Sequence, residues 1–177
     1  MILLEDTRNQ VGRHAIKNAR FEQLGIEIRR TKLYVGDYTL PTNQSVCVDT
    51  KENIQELISD ICGKQHERFR NECQRAKESG IQLYILVENK GEYVDYKKTI
   101  YQPPVKSLKE LYSWRNKRLF MWRNGKQLYP TATKGSVLAK ACQTMELKYG
   151  VRFMFCTPEK SADTILELLG VSKDGRT

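Results

Sequence analysis

The stretch Val46-Cys47-Val48-Asp49-Thr50-Lys51, read together with Val35-Gly36-Asp37-Tyr38 upstream of it, decides the reading of this chain. A β-branched, apolar run ends in Asp-x-Lys, and a lone acid follows a glycine turn. Side chains alternate across a strand, so Asp49 and Lys51 share one face while Val48 and Thr50 take the other. Asp37, coming from the turn, can reach the Asp49 face. An acid and a lysine at the end of an apolar strand are costly to desolvate unless a cation and each other compensate them. Two carboxylates with an ammonium beside them suit a Mg²⁺ site with a group that orients or deprotonates water, the equipment of a metal-dependent phosphodiesterase.

Composition narrows the class. The chain has 177 residues, 40% hydrophobic and 29% charged, which fits one globular domain with its own core. No apolar run reaches the roughly 20 residues that span a bilayer, so no membrane partner is expected. The start, Met1-Ile2-Leu3-Leu4-Glu5-Asp6, has no basic leader, and no signal peptide is expected. The five cysteines are irregularly spaced, suggest neither a disulfide framework nor a zinc site, and read as buried thiols of a cytoplasmic protein. The net charge of +9 is uneven: residues 1–100 carry 16 Lys/Arg against 15 Asp/Glu, residues 101–177 carry 14 against 6. Most of the excess lies between Lys97 and Lys126, and a basic tract of that density favours a polyanion. Within it, Tyr112-Ser113-Trp114-Arg115-Asn116-Lys117-Arg118 and Trp122-Arg123-Asn124-Gly125-Lys126 interleave aromatics with bases, the composition of a nucleic-acid surface, although burial in the core is the better reading for at least one tryptophan. Arg115, Lys117, Arg118, Arg123 and Lys126 are the candidate DNA contacts there.

Periodicity supplies the elements. Strands are expected at 2–4, 27–33, 38–40, 46–50 and 151–156, the third and fourth forming a hairpin around Pro41-Thr42-Asn43-Gln44. The almost continuously apolar run 81–88 reads as a central strand buried on both faces. Helices are expected at 14–24, 54–61, 66–79, 107–116, 133–149 and 158–169. Ser107 and Glu110 have capping-box spacing, and Thr133 is expected to cap the next helix. Strands alternating with helices argue for one α/β domain with a mixed sheet. Glu52, Glu56 and Asp60 recur every fourth residue and read best as a solvated acidic face. Arg68 reads equally as a phosphate ligand or as the i+4 partner of Glu72. His14 and His66 read as capping or surface groups.

The order Leu4-Glu5-Asp6-Thr7-Arg8, Val35-Gly36-Asp37-Tyr38-Thr39-Leu40, Val48-Asp49-Thr50-Lys51, then Arg68 in a helix, then 83–88, resembles the XPF-type nuclease domain of the PD-(D/E)xK, restriction-endonuclease-like superfamily. That resemblance implies a restriction-endonuclease-like central mixed sheet flanked by helices. It implies a divalent-metal-dependent DNA endonuclease, structure-specific in habit, in repair, recombination or replication. Asp37, Asp49 and the Thr50 carbonyl would bind Mg²⁺ or Mn²⁺, Lys51 would assist the attacking water, Asp6 would be the first-strand acid, and Arg8 and Arg68 would face DNA. The expected division is a nuclease domain over 1–172 (core 1–88 and 131–170, basic insertion 89–130) with a frayed tail at 173–177. The tandem helix-hairpin-helix module that commonly follows this domain has no counterpart here, so a stand-alone form is expected, acting on duplex or branched DNA as a homodimer or beside a partner subunit, in a bacterial or phage-infected cell. The family's acids are replaced at Asn9 and Gln55, and its middle arginine by Thr50. Those departures motivate the alternative, a DNA-binding subunit that keeps the fold without the chemistry; an RNA-directed nuclease is a weaker third.

Overall fold

A computed structural model describes residues 1–10, 12 and 14–171; the tail expected at 173–177 lies outside the described residues. Six strands form the main sheet in the order β10-β5-β4-β3-β1-β2. They are β1 (Ile2–Asp6), β2 (Glu27–Thr31), β3 (Tyr38–Leu40), β4 (Asn43–Lys51), β5 (Gln82–Glu88) and β10 (Arg152–Cys156). β1 runs parallel to β2, and β4, β5 and β10 run parallel to one another, while β3 is antiparallel to both neighbours. The sheet is therefore mixed, as expected, and β5 sits inside it, which is why Leu83, Ile85, Leu86 and Val87 are all buried.

Helices cover both faces. α2 (Ile54–Cys62), α3 (His66–Glu78) and α5 (Gly135–Tyr149) bury Leu57, Phe69, Cys73 and Leu138 against Cys47, Leu83 and Ile85. On the other face, α1 (Ala15–Gln23) and α6 (Ser161–Leu168) bury Phe21 and Ile165 against Leu3, Tyr38, Val48 and Leu86. Lys17 is buried within that second layer and survives there because the Glu88 carboxylate neutralises it, with Ser161 Oγ donating to the same oxygen at 2.9 Å. Gly135 opens α5 where only a glycine fits, since a Cβ there would lie 2.4 Å from the carbonyl oxygens of Leu111 and Trp114.

Several local expectations are corrected. β4 begins at Asn43 rather than Val46, because a register shift between Thr39 and Leu40 lets Leu40 pair with Asn43 and shortens the turn to Pro41-Thr42. The helix expected over 107–116 is a single turn, α4 (Leu108–Leu111). Ser107 does cap it, but Glu110 reaches the Lys106 amide (2.8 Å), not that of Ser107. The chain then leaves the helix because Trp114 is drawn into the core and Gln102 grips both the N–H and the C=O of Arg115. α5 starts at Gly135 with Lys134 in the capping position and no side-chain cap, so Thr133 does not cap it; the Thr133 carbonyl accepts from Asn116 instead. Residues 158–160 form a separate 3-10 turn before α6. The irregular stretch after β5 contains two hairpins, β6 (Glu92–Tyr96) with β7 (Lys98–Gln102) and β8 (Trp122–Arg123) with β9 (Lys126–Gln127). All five cysteines are free thiols, and Cys62 is exposed rather than buried. No described helix is long and apolar enough to cross a membrane.

Candidate active site

A polar cleft of about 260 Å³ opens where β4 ends, lined by Arg8, His14, Asp37, Asp49, Lys51 and Glu72 among others, including Thr50 and Arg68. Gly36 places the first acid. Its φ of +71° is a conformation that L side chains rarely adopt, and a Cβ there would press on Val48 O (3.1 Å) and Cys47 Cβ (3.2 Å). The Asp37 backbone is stitched to both neighbouring strands: its N–H donates to Val48 O, and its C=O accepts from Asp6 N–H, each at 2.8 Å. Its Oδ2 accepts from the Thr50 amide (2.8 Å) and hydroxyl (2.7 Å), which orients the carboxylate over the end of β4.

Asp49 and Lys51 meet as alternation predicts, Lys51 Nζ lying 2.6 Å from Asp49 Oδ2. The same ammonium lies 2.7 Å from Asp60 Oδ2 and 5.0 Å from the centre of the Phe69 ring. Neither carboxylate oxygen has an aligned hydrogen-bond donor, although both touch the ammonium. This corrects the solvated reading of Asp60, which is 2% exposed. Burial works to lower the Lys51 pKa, but Asp49 and Asp60 outweigh it and drive it up, so Lys51 stays charged. It can orient water and stabilise negative charge; it is unsuited to take a proton. Burial pushes the Asp49 carboxyl well above the ordinary range, Asp37 and Glu72 push the same way, and Lys51 only partly offsets them.

Glu72 is the carboxylate missed in the sequence. It is buried, lines the cleft, and its Oε1 accepts the Gly36 N–H at 2.9 Å. It faces that amide rather than Arg68, and among the described residues no Arg68–Glu72 ion pair forms; Arg68 is exposed at the cleft. His14 also lines the cleft, where burial and then Lys17 hold its pKa below the usual value against Asp37, Glu88 and Glu5.

Asp6 does not line the cleft. Its Oδ1 accepts from the Arg8 amide and Nε (both 2.7 Å), and its Oδ2 from Arg8 Nη2 (3.1 Å) and the Leu33 amide (2.7 Å). It therefore holds Arg8, which is half exposed at the cleft. Burial works to raise the Asp6 pKa, but the Arg8 and Leu33 bonds outweigh it and hold it below the ordinary carboxylate value. A depressed folded pKa means the contribution is present above the ordinary carboxylate pKa and lost as pH falls through the folded value. Thermal melts against pH are expected to show an acid-side loss of stability in the wild type that is smaller in Asp6→Asn.

The basic candidates Arg115, Lys117, Arg118, Arg123 and Lys126 are exposed but do not line the cleft. Their segment is tied to the site's helix at Gln55, whose Nε2 donates to Asn116 Oδ1 at 2.9 Å. The residue standing in for the family's acid thus anchors the 89–130 segment.

The donor set fits a hard cation. It is all oxygen, Asp49 Oδ2 is a buried atom without an aligned donor, and Asp37, Asp49 and Glu72 bring carboxyl oxygens into one cleft. Among the described residues no three His, Cys, Asp or Glu side chains form a ready-made cation cage.

A mixed sheet with helices on both faces is the architecture of the XPF nuclease fold. The ERCC4 domain family matches residues 5–168, and the chain belongs to that family. Two solved structures share the fold: XPF from Aeropyrum pernix (TM-score 0.59, 19% identity, covering 96% of this chain and 63% of that one) and the same protein in complex with DNA (TM-score 0.59, 20% identity, 99% and 66%). The chain thus spans less than two-thirds of the length of those relatives. No curated protein sequence matches it.

Proposed function

We propose that this protein is a divalent-metal-dependent DNA endonuclease, and the observation that carries the reading is the buried Asp49 carboxylate beside Asp37 in a cleft flanked by Arg8 and Arg68. Asp37, Asp49 and the Thr50 carbonyl would hold Mg²⁺ or Mn²⁺. When bound, that ion supplies Lewis-acid stabilisation of the charge that builds on the scissile phosphate. Lys51, kept protonated by Asp49 and Asp60, orients the attacking water and adds a fixed positive charge. Arg8 and Arg68 neutralise the phosphates at the cleft, Asp6 acts through Arg8 as a positioning residue, and Arg115, Lys117, Arg118, Arg123 and Lys126 grip the backbone further out. That the similar XPF was solved with DNA supports DNA as the substrate. Branched DNA in repair, recombination or replication within the cytoplasm is the setting this reading implies.

The test is cleavage of end-labelled linear and branched DNA by wild type and Asp37→Asn, with Mg²⁺ or a chelator. Wild type is expected to cut only with metal, and Asp37→Asn to lose roughly a hundredfold or more in rate. Equal rates would sink the site assignment. DNA binding with neither cleavage nor calorimetric Mn²⁺ binding would favour the inactive subunit, and cleavage of RNA alone would favour the third reading.

A further inference from the structure

The 89–130 segment carries an unusual surface outside the cleft. Tyr93 and Tyr101 face each other across the β6–β7 hairpin, ring centroids 5.3 Å apart and edge-on. Both point away from buried Val94 and are 71% and 57% exposed. Trp122, on the small β8–β9 hairpin closed by Asn124-Gly125, is 63% exposed, while Trp114 is core. Single exposed apolar side chains are ordinary, but three large rings in one strongly basic segment are not. Lys98, Arg123 and Lys126 are exposed on the same two hairpins. Tyr101 also walls a groove of about 550 Å³ whose other lining includes Pro103, Pro104, Lys109 and Arg115.

The segment is held in place. Lys117 pairs with Glu92 (3.0 Å), Gln102 clamps the Arg115 peptide, and Asn116 accepts from Gln55 on α2, the helix whose Glu56 lines the cleft. The Tyr93 and Tyr101 rings therefore stand on a scaffold joined to the site, and the hairpin of Trp122 is tied to the same segment where Gln127 Nε2 donates to Leu119 O.

We propose that this segment is a stacking surface for unpaired nucleotides, with Tyr93, Tyr101 and Trp122 taking the base faces and the neighbouring lysines and arginines taking the phosphates. Aromatic rings amid bases match single-stranded nucleic acid, because every base has a π-face and every linkage a charge. A protein partner fits less well, since interface cores are depleted in lysine. Duplex DNA hides its base faces and offers such rings nothing to stack on. The proposal rests on the DNA reading above and adds to it a binding surface on the two hairpins, outside the cleft.

The experiment measures binding, not cleavage. A labelled oligo(dT) strand and a blunt duplex of equal length are titrated in chelator with wild type, Tyr93→Ala/Tyr101→Ala and Tyr93→Phe/Tyr101→Phe. The alanine pair is expected to lose about tenfold or more in affinity for the single strand, with duplex binding nearly unchanged, and the phenylalanine pair to keep both. Oligo(dT) is expected to quench tryptophan fluorescence in wild type and not in Trp122→Phe, where only core Trp114 remains. Parallel loss on both ligands, no loss on either, or failure of the phenylalanine pair to retain binding would overturn the proposal. A protein that cuts duplex DNA when Mg²⁺ is supplied yet, in chelator, binds the single strand no better through its rings would overturn the stacking surface alone.

Discussion

Asp49→Asn is expected to abolish cleavage while making the metal-free protein more stable. The substitution keeps the shape of the side chain and removes one negative charge from a buried site that already holds Asp37, Glu72 and Asp60. Loss of a direct metal and transition-state contact corresponds to roughly a thousandfold in rate or more, about 4 kcal/mol. The stability effect has the opposite sign. Asp49's folded pKa is raised, so the folded state holds that proton more tightly than the unfolded chain does. Stability is then fullest below the ordinary carboxylate pKa and falls as pH rises through the folded value. At neutral pH the wild type carries that penalty and Asp49→Asn does not, so its melting temperature in chelator is expected to be higher by about 2–4 °C. The difference should shrink as pH is lowered. Saturating Mn²⁺ should reverse the order, because it stabilises only the protein that binds it. An Asp49→Asn protein that melts lower than wild type in chelator at neutral pH would contradict the strained-charge account.

Asp60→Ala is expected to cost stability as well as activity. Asp60 is buried with its carboxylate against Lys51, and removing one partner of a buried ion cluster costs about 3 kcal/mol. For a domain of this size that is a fall of roughly 6–12 °C in melting temperature. Lys51 also loses one of the two groups that hold its ammonium, so cleavage should fall by about tenfold or more even where the protein is fully folded. Glu22→Ala provides the contrast, being exposed on α1 away from the cleft. A surface change of that kind normally stays within about 0.5 kcal/mol. If the two variants melt alike, Asp60 is not the buried partner of Lys51.

Asp60 and Glu72 show how much of the site the sequence carried. In α2 the buried positions are Ile54, Leu57, Asp60 and Ile61, and in α3 they are Phe69, Glu72, Cys73 and Ala76. In each helix an acid occupies the apolar stripe. Charge spacing alone placed Asp60 with Glu52 and Glu56 and suggested a solvated face. Hydrophobic periodicity, applied to the same residues, marks it as an acid that must find a buried cation. Asp6 came forward only through the family resemblance, and its orientation could not be read from the sequence. Whether a first-strand acid faces the cleft or clamps Arg8 depends on the Leu33 amide brought to it from beyond β2.

Local chemistry determined the parts of this protein that repeat at short range. The alternation of Val46 to Lys51 put Asp49 and Lys51 on one face, the glycine turn brought Asp37 within reach, and the apolar run of β5 marked an interior strand, one place in from the edge strand β10. Tertiary structure decided everything that joins distant segments. Gly36 meets Glu72, Lys51 meets Asp60, and Gln55 meets Asn116 across 61 positions of chain. It also turned an irregular basic stretch into two hairpins, with Trp114 inside and Trp122 outside. The reason is physical: side-chain periodicity specifies which face of an element is buried, whereas the partner on the other side of that face exists only once the elements have docked.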